Sequence, residues 1–360
     1  MNKGIYIHAP FCVSKCPYCD FYSAPACEGE RRAYAESVIR AVESAPFEFI
    51  ADTLFIGGGT PSLLPVDSLI GILDACRRRF GLENAECTIE ANPGTVDIDK
   101  LKALFDGGFN RISFGVQETH ARHLKTLGRI HSFEQAKDAI LSAHKAGFRR
   151  ISADLMLAIP SQTENDIRES VRTLSSLPID HLSAYMLQIE EGTPFFERVK
   201  EPSDEFYAEC YRAAVNEAEK CGMHQYEISN FARSETSQSR HNLHYWRCEE
   251  YLGVGPSAHS FLNGGRFYFE ADKDKFVNAS DPWALIVSDG EGGDEEERIM
   301  LGLRLKEGIC PDAFSAKTAE RLIKKSAPYI KAELMEYKNG RLSLTREGFL
   351  LSNAIIAEMI

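Results

Sequence analysis

No run of about 18 consecutive apolar residues occurs in this 360-residue chain, so no segment has the make-up of a membrane-spanning helix. Contact with a membrane surface is the one membrane role this leaves open. Cysteine is also scarce for a disulfide scaffold: there are ten, and no signal peptide precedes the first. Residues 1–3 leave no room for a targeting segment, and the expectation is a reducing, cytoplasmic compartment. A basic stripe is missing too. With 53 acidic against 41 basic residues the net charge is -12, which argues against nucleic acid or another polyanion as a partner. Repeats and low-complexity tracts are absent. What remains is an ordinary folded composition, 44% hydrophobic and 26% charged, long enough for one large domain and a small appended one.

Short apolar segments alternate with amphipathic ones through the first two thirds. The pattern predicts strands over 4–9, 52–58, 86–92, 111–117, 149–157 and 181–190. Helices are predicted over 30–45, 66–80, 97–106, 132–146, 163–176 and 204–221, with Gly81, Gly107, Gly147 and Gly222 as helix stops. Six βα units mean an α/β fold, either an open doubly wound sheet or an incomplete (β/α)6 barrel, with chemistry at the C-terminal strand ends. Glu90, Gln117 and Asp154 lie within predicted strands, where turn formation does not account for them.

After residue 230 the pattern breaks. A polar loop leads into "HNLHYWRCEEYLGVGPSAHSF" at 241–261, then a linker, and "SDGEGGDEEE" marks a boundary near Asp289. The C-terminal segment reads as helices followed by a small hairpin, turning at Asn339-Gly340, with Thr345 as a helix N-cap. That order is winged-helix-like. Lys324, Lys325, Lys331 and Lys338 alternate with Glu333 and Glu336, which suits a protein-facing or packing role better than DNA. The expected division is 1–235, 236–288 and 289–360.

Cys12, Cys16 and Cys19 follow the first strand as C-x3-C-x2-C in "HAPFCVSKCPYCDFYS". Three readings compete: a Cys3His zinc site completed by His8, a redox pair of Cys16 and Cys19 in "CPYC", and an iron–sulfur cluster with one iron free of protein ligand. Cubane clusters ordinarily take four cysteines, so three would leave an open coordination position. Cys27 is the only other cysteine near this loop, and as a fourth ligand it would close that position. With Cys76, Cys87, Cys210, Cys221, Cys248 and Cys310 it is expected to be a buried small hydrophobe. "FIGGGTPSLL" follows the second strand, and its glycines allow close backbone approach to a ligand. The spelling is neither G-x-G-x-x-G nor a Walker loop, which disfavours a dinucleotide or triphosphate.

On these residues the chain resembles the radical SAM superfamily. Segments "YIHAPFCVSKCPYCDF", "FIGGGTPSLL", "IEANPG", "RISFGVQ", "HLSAYMLQIEEGTPF", "YEISNFA", "HNLHYW" and "YLGVGPSAHSF" carry a resemblance over nearly the whole length to the coproporphyrinogen III oxidase-like family. The resemblance implies a partial barrel with a 4Fe-4S cluster on Cys12, Cys16 and Cys19, and S-adenosylmethionine (SAM) chelated at the open iron. Tyr6, Gly58 and Glu90 match contacts to that SAM. Tyr18, Gly59, Thr60, Gln117, Arg129 and Asp154 match positions holding a second SAM in the oxidase, while Gln188 stands where the oxidase has a small residue. His8 resembles a position beside the cofactor.

Phe21 occupies the place of a further cysteine in the oxidase, and the oxidase's N-terminal extension is missing. "HNLHYW" resembles the haem motif of the family's haem-chaperone branch. It implies haem as cargo, with His241 or His244 on the iron and Tyr245 and Trp246 over the macrocycle, and haem-accepting respiratory proteins as partners. The other readings are radical decarboxylation of coproporphyrinogen III and, for "HNLHYW" itself, a packed lid of the barrel.

Overall fold

The computed structural model describes residues 3–360. Six strands arise where the alternation places them: β1 (Lys3–Ala9), β2 (Ala51–Gly58), β3 (Glu86–Ala91), β4 (Arg111–Gln117), β5 (Arg150–Leu157) and β6 (His181–Met186). Between and after them come α1 (Glu28–Glu43), α2 (Val66–Phe80), α3 (Ile98–Asp106), α4 (Ala121–Thr126), α5 (Phe133–Ala146), α6 (Glu164–Ser175), α7 (Pro194–Arg198) and α8 (Asp204–Lys220). Side chains start these helices as the sequence dictates: Asp97, Ser132, Thr163 and Ser203 each accept a hydrogen bond from a first-turn amide. Gly81 ends α2 at φ 61°, a conformation glycine adopts without strain.

Each strand divides its residues between two faces. Ile5, Ile7, Leu54, Ile56, Ile89, Ile112, Phe114 and Leu155 are buried beneath the helices. Their neighbours one residue along are Tyr6, Glu90, Arg111, Ser113 and Asp154, and these line the inside. A barrel of this kind is normally filled by branched apolar side chains. Here the polar inner face marks a site.

The parallel run has seven strands, one more than expected. β7 (His224–Gln225) and β8 (Asn230–Ala232) extend the β6 edge antiparallel, then α9 (Arg240–Trp246) is followed by β9 (Tyr251–Val254), which pairs parallel with β1. From β9 the sheet continues antiparallel through β10 (His259–Leu262), β11 (Gly265–Phe269) and β12 (Ile286–Glu291), with α10 (Lys273–Asn278) between the last two. The segment read as a linker thus contributes strands to the main sheet. β6 stops at Met186, short of the expected 190: Leu187 makes one more bond to Leu157, then Thr193 bonds back to Glu190 and turns the chain into α7.

The C-terminal part contains α11 (Glu295–Gly302), α12 (Ala316–Lys331), the hairpin of β13 (Met335–Lys338) and β14 (Arg341–Leu344), α13 (Arg346–Leu350) and α14 (Ser352–Met359). Asn339 and Gly340 turn the hairpin with φ of 53° and 76°, and Thr345 caps α13. This is the winged-helix-like unit. Its Ile299, Leu322, Leu342 and Ile356 belong to the same buried cluster as the barrel. Among the described residues no helix is long and apolar enough to cross a membrane.

Candidate cofactor site at the strand ends

The cysteine loop leaves β1 through buried Phe11, which packs edge-on against Tyr34, and is pinned by Cys12 N donating to Ala24 O and Ala24 N to Pro10 O. Cys12, Cys16 and Cys19 are half-buried on it. Burial raises the Cys19 thiol pKa, a Phe21 amide opposes this, and the nearby Cys16 and Cys12 add to the rise. Among the described residues no three Cys, His, Asp or Glu side chains converge on one metal ion. A cubane spreads its thiolates over separate irons and does not require that.

A hydrogen-bonded chain ties two of these cysteines to three strand ends. Cys12 Sγ lies 3.6 Å from Thr60 Oγ1 after β2. Asn92 Nδ2, after β3, donates to Thr60 Oγ1 at 2.8 Å. Arg129 donates to Asn92 Oδ1 at 2.6 Å, to the Gly115 carbonyl at 2.8 Å and to Cys16 Sγ at 3.6 Å. Asn92 was not singled out from the sequence; its only signal was its place in "NPG" at a strand end.

Gly59 N donates to Ala9 O, and a side chain on Gly59 would meet the Phe11 carbonyl at 2.6 Å. At Gly58, φ 109°, a Cβ would lie 2.7 Å from the His8 ring. The glycines expected to admit a ligand first of all admit the cysteine loop. Gln117 ends β4 at φ 70°, strained for a residue with a Cβ, and is held there by Tyr185, whose hydroxyl donates to Gln117 Oε1 at 2.8 Å. A cleft of about 220 Å³ opens beside Cys16, between Val13, Asn92 and Ile130.

His8 is not free to complete a zinc site. Its Nδ1 is 2.9 Å from the Tyr6 hydroxyl and its Nε2 is 3.0 Å from Tyr22 O. Cys27 is exposed and caps α1, and Cys221, Cys248 and Cys310 are only partly covered; just Cys76, Cys87 and Cys210 are the buried thiols expected of all seven.

Below the strand ends lies a cavity of about 230 Å³, and Tyr6, Glu90 and Asp154 form its upper wall. Burial, reinforced by Asp154, raises Glu90 to a pKa of about 8 against the Gly58 amide and Arg111. Burial also raises Asp154 to about 6, against Ser113, Ser183, Arg111 and Arg129. Burial holds the Tyr18 hydroxyl well above its ordinary range.

The "HNLHYW" residues sit elsewhere. They form α9, and its contacts are with the N-terminal ends of the strands, opposite the cysteine loop. Glu86, at the start of β3, accepts from the amides of Arg240 and His241, both at 3.2 Å, and pairs with Arg150. His241 Nδ1 is 2.8 Å from Thr53 Oγ1 and its Nε2 is 2.7 Å from the Tyr245 hydroxyl; burial holds the ring neutral, with a pKa near 3. His244 lies between Asp52 Oδ1 at 2.8 Å and Glu249 Oε2 at 2.6 Å. Burial alone would lower its pKa, but these two carboxylates raise it to about 9. Trp246 is half-buried, with Arg304 over its ring. Three of the four ring nitrogens are hydrogen-bonded and His244 Nδ1 is ion-paired with Glu249 without hydrogen-bond geometry, so ligation of an iron by either histidine requires these contacts to break.

Residues 6–174 match the family described as the Radical SAM superfamily, and residues 295–351 match the HemN C-terminal domain. The chain is 33% identical over 370 residues to the heme chaperone HemW of Lactococcus lactis subsp. lactis (strain IL1403), covering 99% of this chain and 97% of that protein. To the heme chaperone HemW of Escherichia coli (strain K12) it is 40% identical over 264 residues, 71% of this chain and 69% of that one. Among solved structures, the coproporphyrinogen III oxidase HemN of Escherichia coli, described as a radical SAM enzyme, aligns with a TM-score of 0.82 and 20% identity over 99% of this chain and 90% of that chain. That likeness establishes the fold: an incomplete radical SAM barrel with a C-terminal domain. The chain belongs to the HemW family of the radical SAM superfamily. Membership implies a 4Fe-4S cluster and SAM.

Proposed function

We propose that the chain is a haem-handling protein whose cluster is held by Cys12, Cys16 and Cys19, with SAM in the pocket of Tyr6, Gly58 and Glu90. The observation that carries the cluster assignment is the chain from Cys12 through Thr60, Asn92 and Arg129 to Cys16, which fixes two of three thiols to the strand ends and uses no fourth cysteine. When bound, the pair supplies reductive cleavage of the sulfonium bond and a 5'-deoxyadenosyl radical. Arg129 orients Cys16 by donating to its Sγ. Tyr18, Gly59, Thr60, Gln117, Arg129 and Asp154 are the positions for a second SAM.

In this reading residues 1–235 carry the cofactor chemistry, 236–288 the haem-motif helix and its strands, and 289–360 the appended domain. Haem as cargo is supported by the relatives' names, and haem-accepting respiratory proteins, in the cytoplasm or at a membrane surface, are the partners it suggests. The engaged ring nitrogens favour α9 as the floor of the barrel over its serving as a ready-made iron site.

Anaerobic reconstitution tests the cluster. Cys12→Ser, Cys16→Ser and Cys19→Ser each lose iron and sulfide, and Cys27→Ser keeps both; retention in any of the first three overturns the assignment. For haem, His241→Ala is titrated with hemin while thermal stability is followed. Weaker binding at unchanged Tm makes His241 a ligand, and lower Tm at unchanged haem affinity makes it part of the floor.

A further inference from the structure

The inner face of the barrel holds a cation with no hydrogen-bonded or ion-paired partner among the described residues; its charge also reaches Asp180, His181 and Tyr226, of which Asp180 accepts from the Ile151 amide at 2.8 Å. Arg111, the first residue of β4, is 3% exposed and lines the 230 Å³ cavity together with Glu90 and Asp154. Its guanidinium has no hydrogen bond and no ion pair with any described residue. A buried charge in that position is costly unless something compensates it. The two carboxyls beside it have few partners: Glu90 accepts from Gly58 N at 3.1 Å, and Asp154 from Ser113 Oγ at 3.1 Å with Ser183 also favouring its charged form.

The remaining groups around them do not supply the missing charge. Tyr6 from β1, Tyr185 from β6 and Tyr245 from α9 all have hydroxyl pKa values raised by burial, and His241 from α9 is held neutral. Ser183 and Asn242 are uncharged. Arg129 is committed to Asn92, Gly115 and Cys16. Two carboxylates sharing one buried cavity do not both ionise without a compensating cation, and among the described residues lining it Arg111 is the uncommitted one.

We infer that Arg111 is a positioning residue for the cofactor pocket, the counter-ion that lets Glu90 and Asp154 carry charge so that the pocket accepts a ligand cation of the sulfonium or ammonium class. With both carboxyls ionised, the triad has a net charge of one negative, the complement of such a ligand. The inference rests on the reading of this pocket as a SAM site.

The test is SAM binding by equilibrium dialysis across pH, using anaerobically reconstituted protein of checked iron content. Arg111→Gln removes the charge, and Arg111→Lys keeps it. The glutamine variant is expected to bind SAM about tenfold more weakly at neutral pH, with the pH midpoint of binding raised by about one unit; the lysine variant restores most of both. A folded, cluster-replete Arg111→Gln with the wild-type pH profile overturns the inference. Wild-type protein that binds no SAM at any pH overturns the cofactor reading instead. Should Arg111→Gln not fold, infrared carboxyl bands of the wild type decide, assigned by difference against Glu90→Gln and Asp154→Asn. Both carboxylates ionised at neutral pH support the counter-ion, and a protonated carboxyl at either position refutes it.

Discussion

Gly58 and Gly59 do different work although they are adjacent. At Gly58 the backbone itself requires glycine, with φ at 109°, whereas Gly59 is needed because a Cβ there would press at 2.6 Å on the immovable Phe11 carbonyl. Gly59→Ala is therefore expected to displace the cysteine loop, lowering iron bound per chain as well as stability. Gly81→Ala is the control: φ is 61° but nothing lies within 4 Å, so it costs about 1–2 kcal/mol of left-handed strain and leaves the iron content alone. Urea unfolding and iron assays on both variants check this, and equal iron loss in the two would refute the steric account. At this scale the cysteines were legible because their chemistry needs only local spacing. Asn92 and Arg111 were not, because an amide or a guanidinium acquires meaning only from what surrounds it.

At the scale of the element, α9 shows how a motif can be legible and its setting hidden. The six residues of "HNLHYW", 241–246, stand out for their imidazoles and aromatics, and with Arg240 they form the helix. Their anchors are Asp52, Thr53 and Glu86, more than 150 positions away in the chain. His244 makes this anchoring pH-dependent. Its folded pKa of about 9 exceeds the ordinary 6.5, so its contribution is fully present below pH 6.5 and is lost as pH rises through 9. The loss should be about 2–3 kcal/mol. Comparing unfolding free energies at pH 6.5 and pH 9 in wild type and His244→Gln isolates it. The wild type is expected to lose more stability than the variant; equal losses would remove His244 from the account. The end of β6 was misplaced for a related reason: "LQIE" has strand composition, but Thr193 closes a turn that the alternation does not register.

The whole molecule is held together by one continuous core. Ile5 and Leu54 of the barrel belong to the same buried cluster as Trp283, Leu322 and Ile356, and Arg212 of α8 meets Glu347 of α13 at 2.7 Å. That exposed ion pair adds little by itself. The shared apolar core predicts one cooperative unfolding transition rather than separate ones for barrel and C-terminal domain. Trp246 borders the barrel floor, and Trp283 packs between Phe47 and Phe269 while donating to Ala41 O at 2.9 Å. In Trp246→Phe and Trp283→Phe, the remaining tryptophan should report the same urea midpoint as the circular dichroism of the full chain. Midpoints that differ would mean the parts unfold independently.

The order of the first six strands and the long helices between them, the cysteine loop, the glycine turn and the Asn339-Gly340 hairpin were set by the sequence alone. Each depends on alternation, capping or φ preference within a few residues. The tertiary structure decided the rest. It placed β9 against β1, set α9 across the strand starts, and brought Arg111 into one cavity with Glu90 and Asp154. Those outcomes depend on which distant backbones pair and which buried charges find partners, quantities that no local pattern carries.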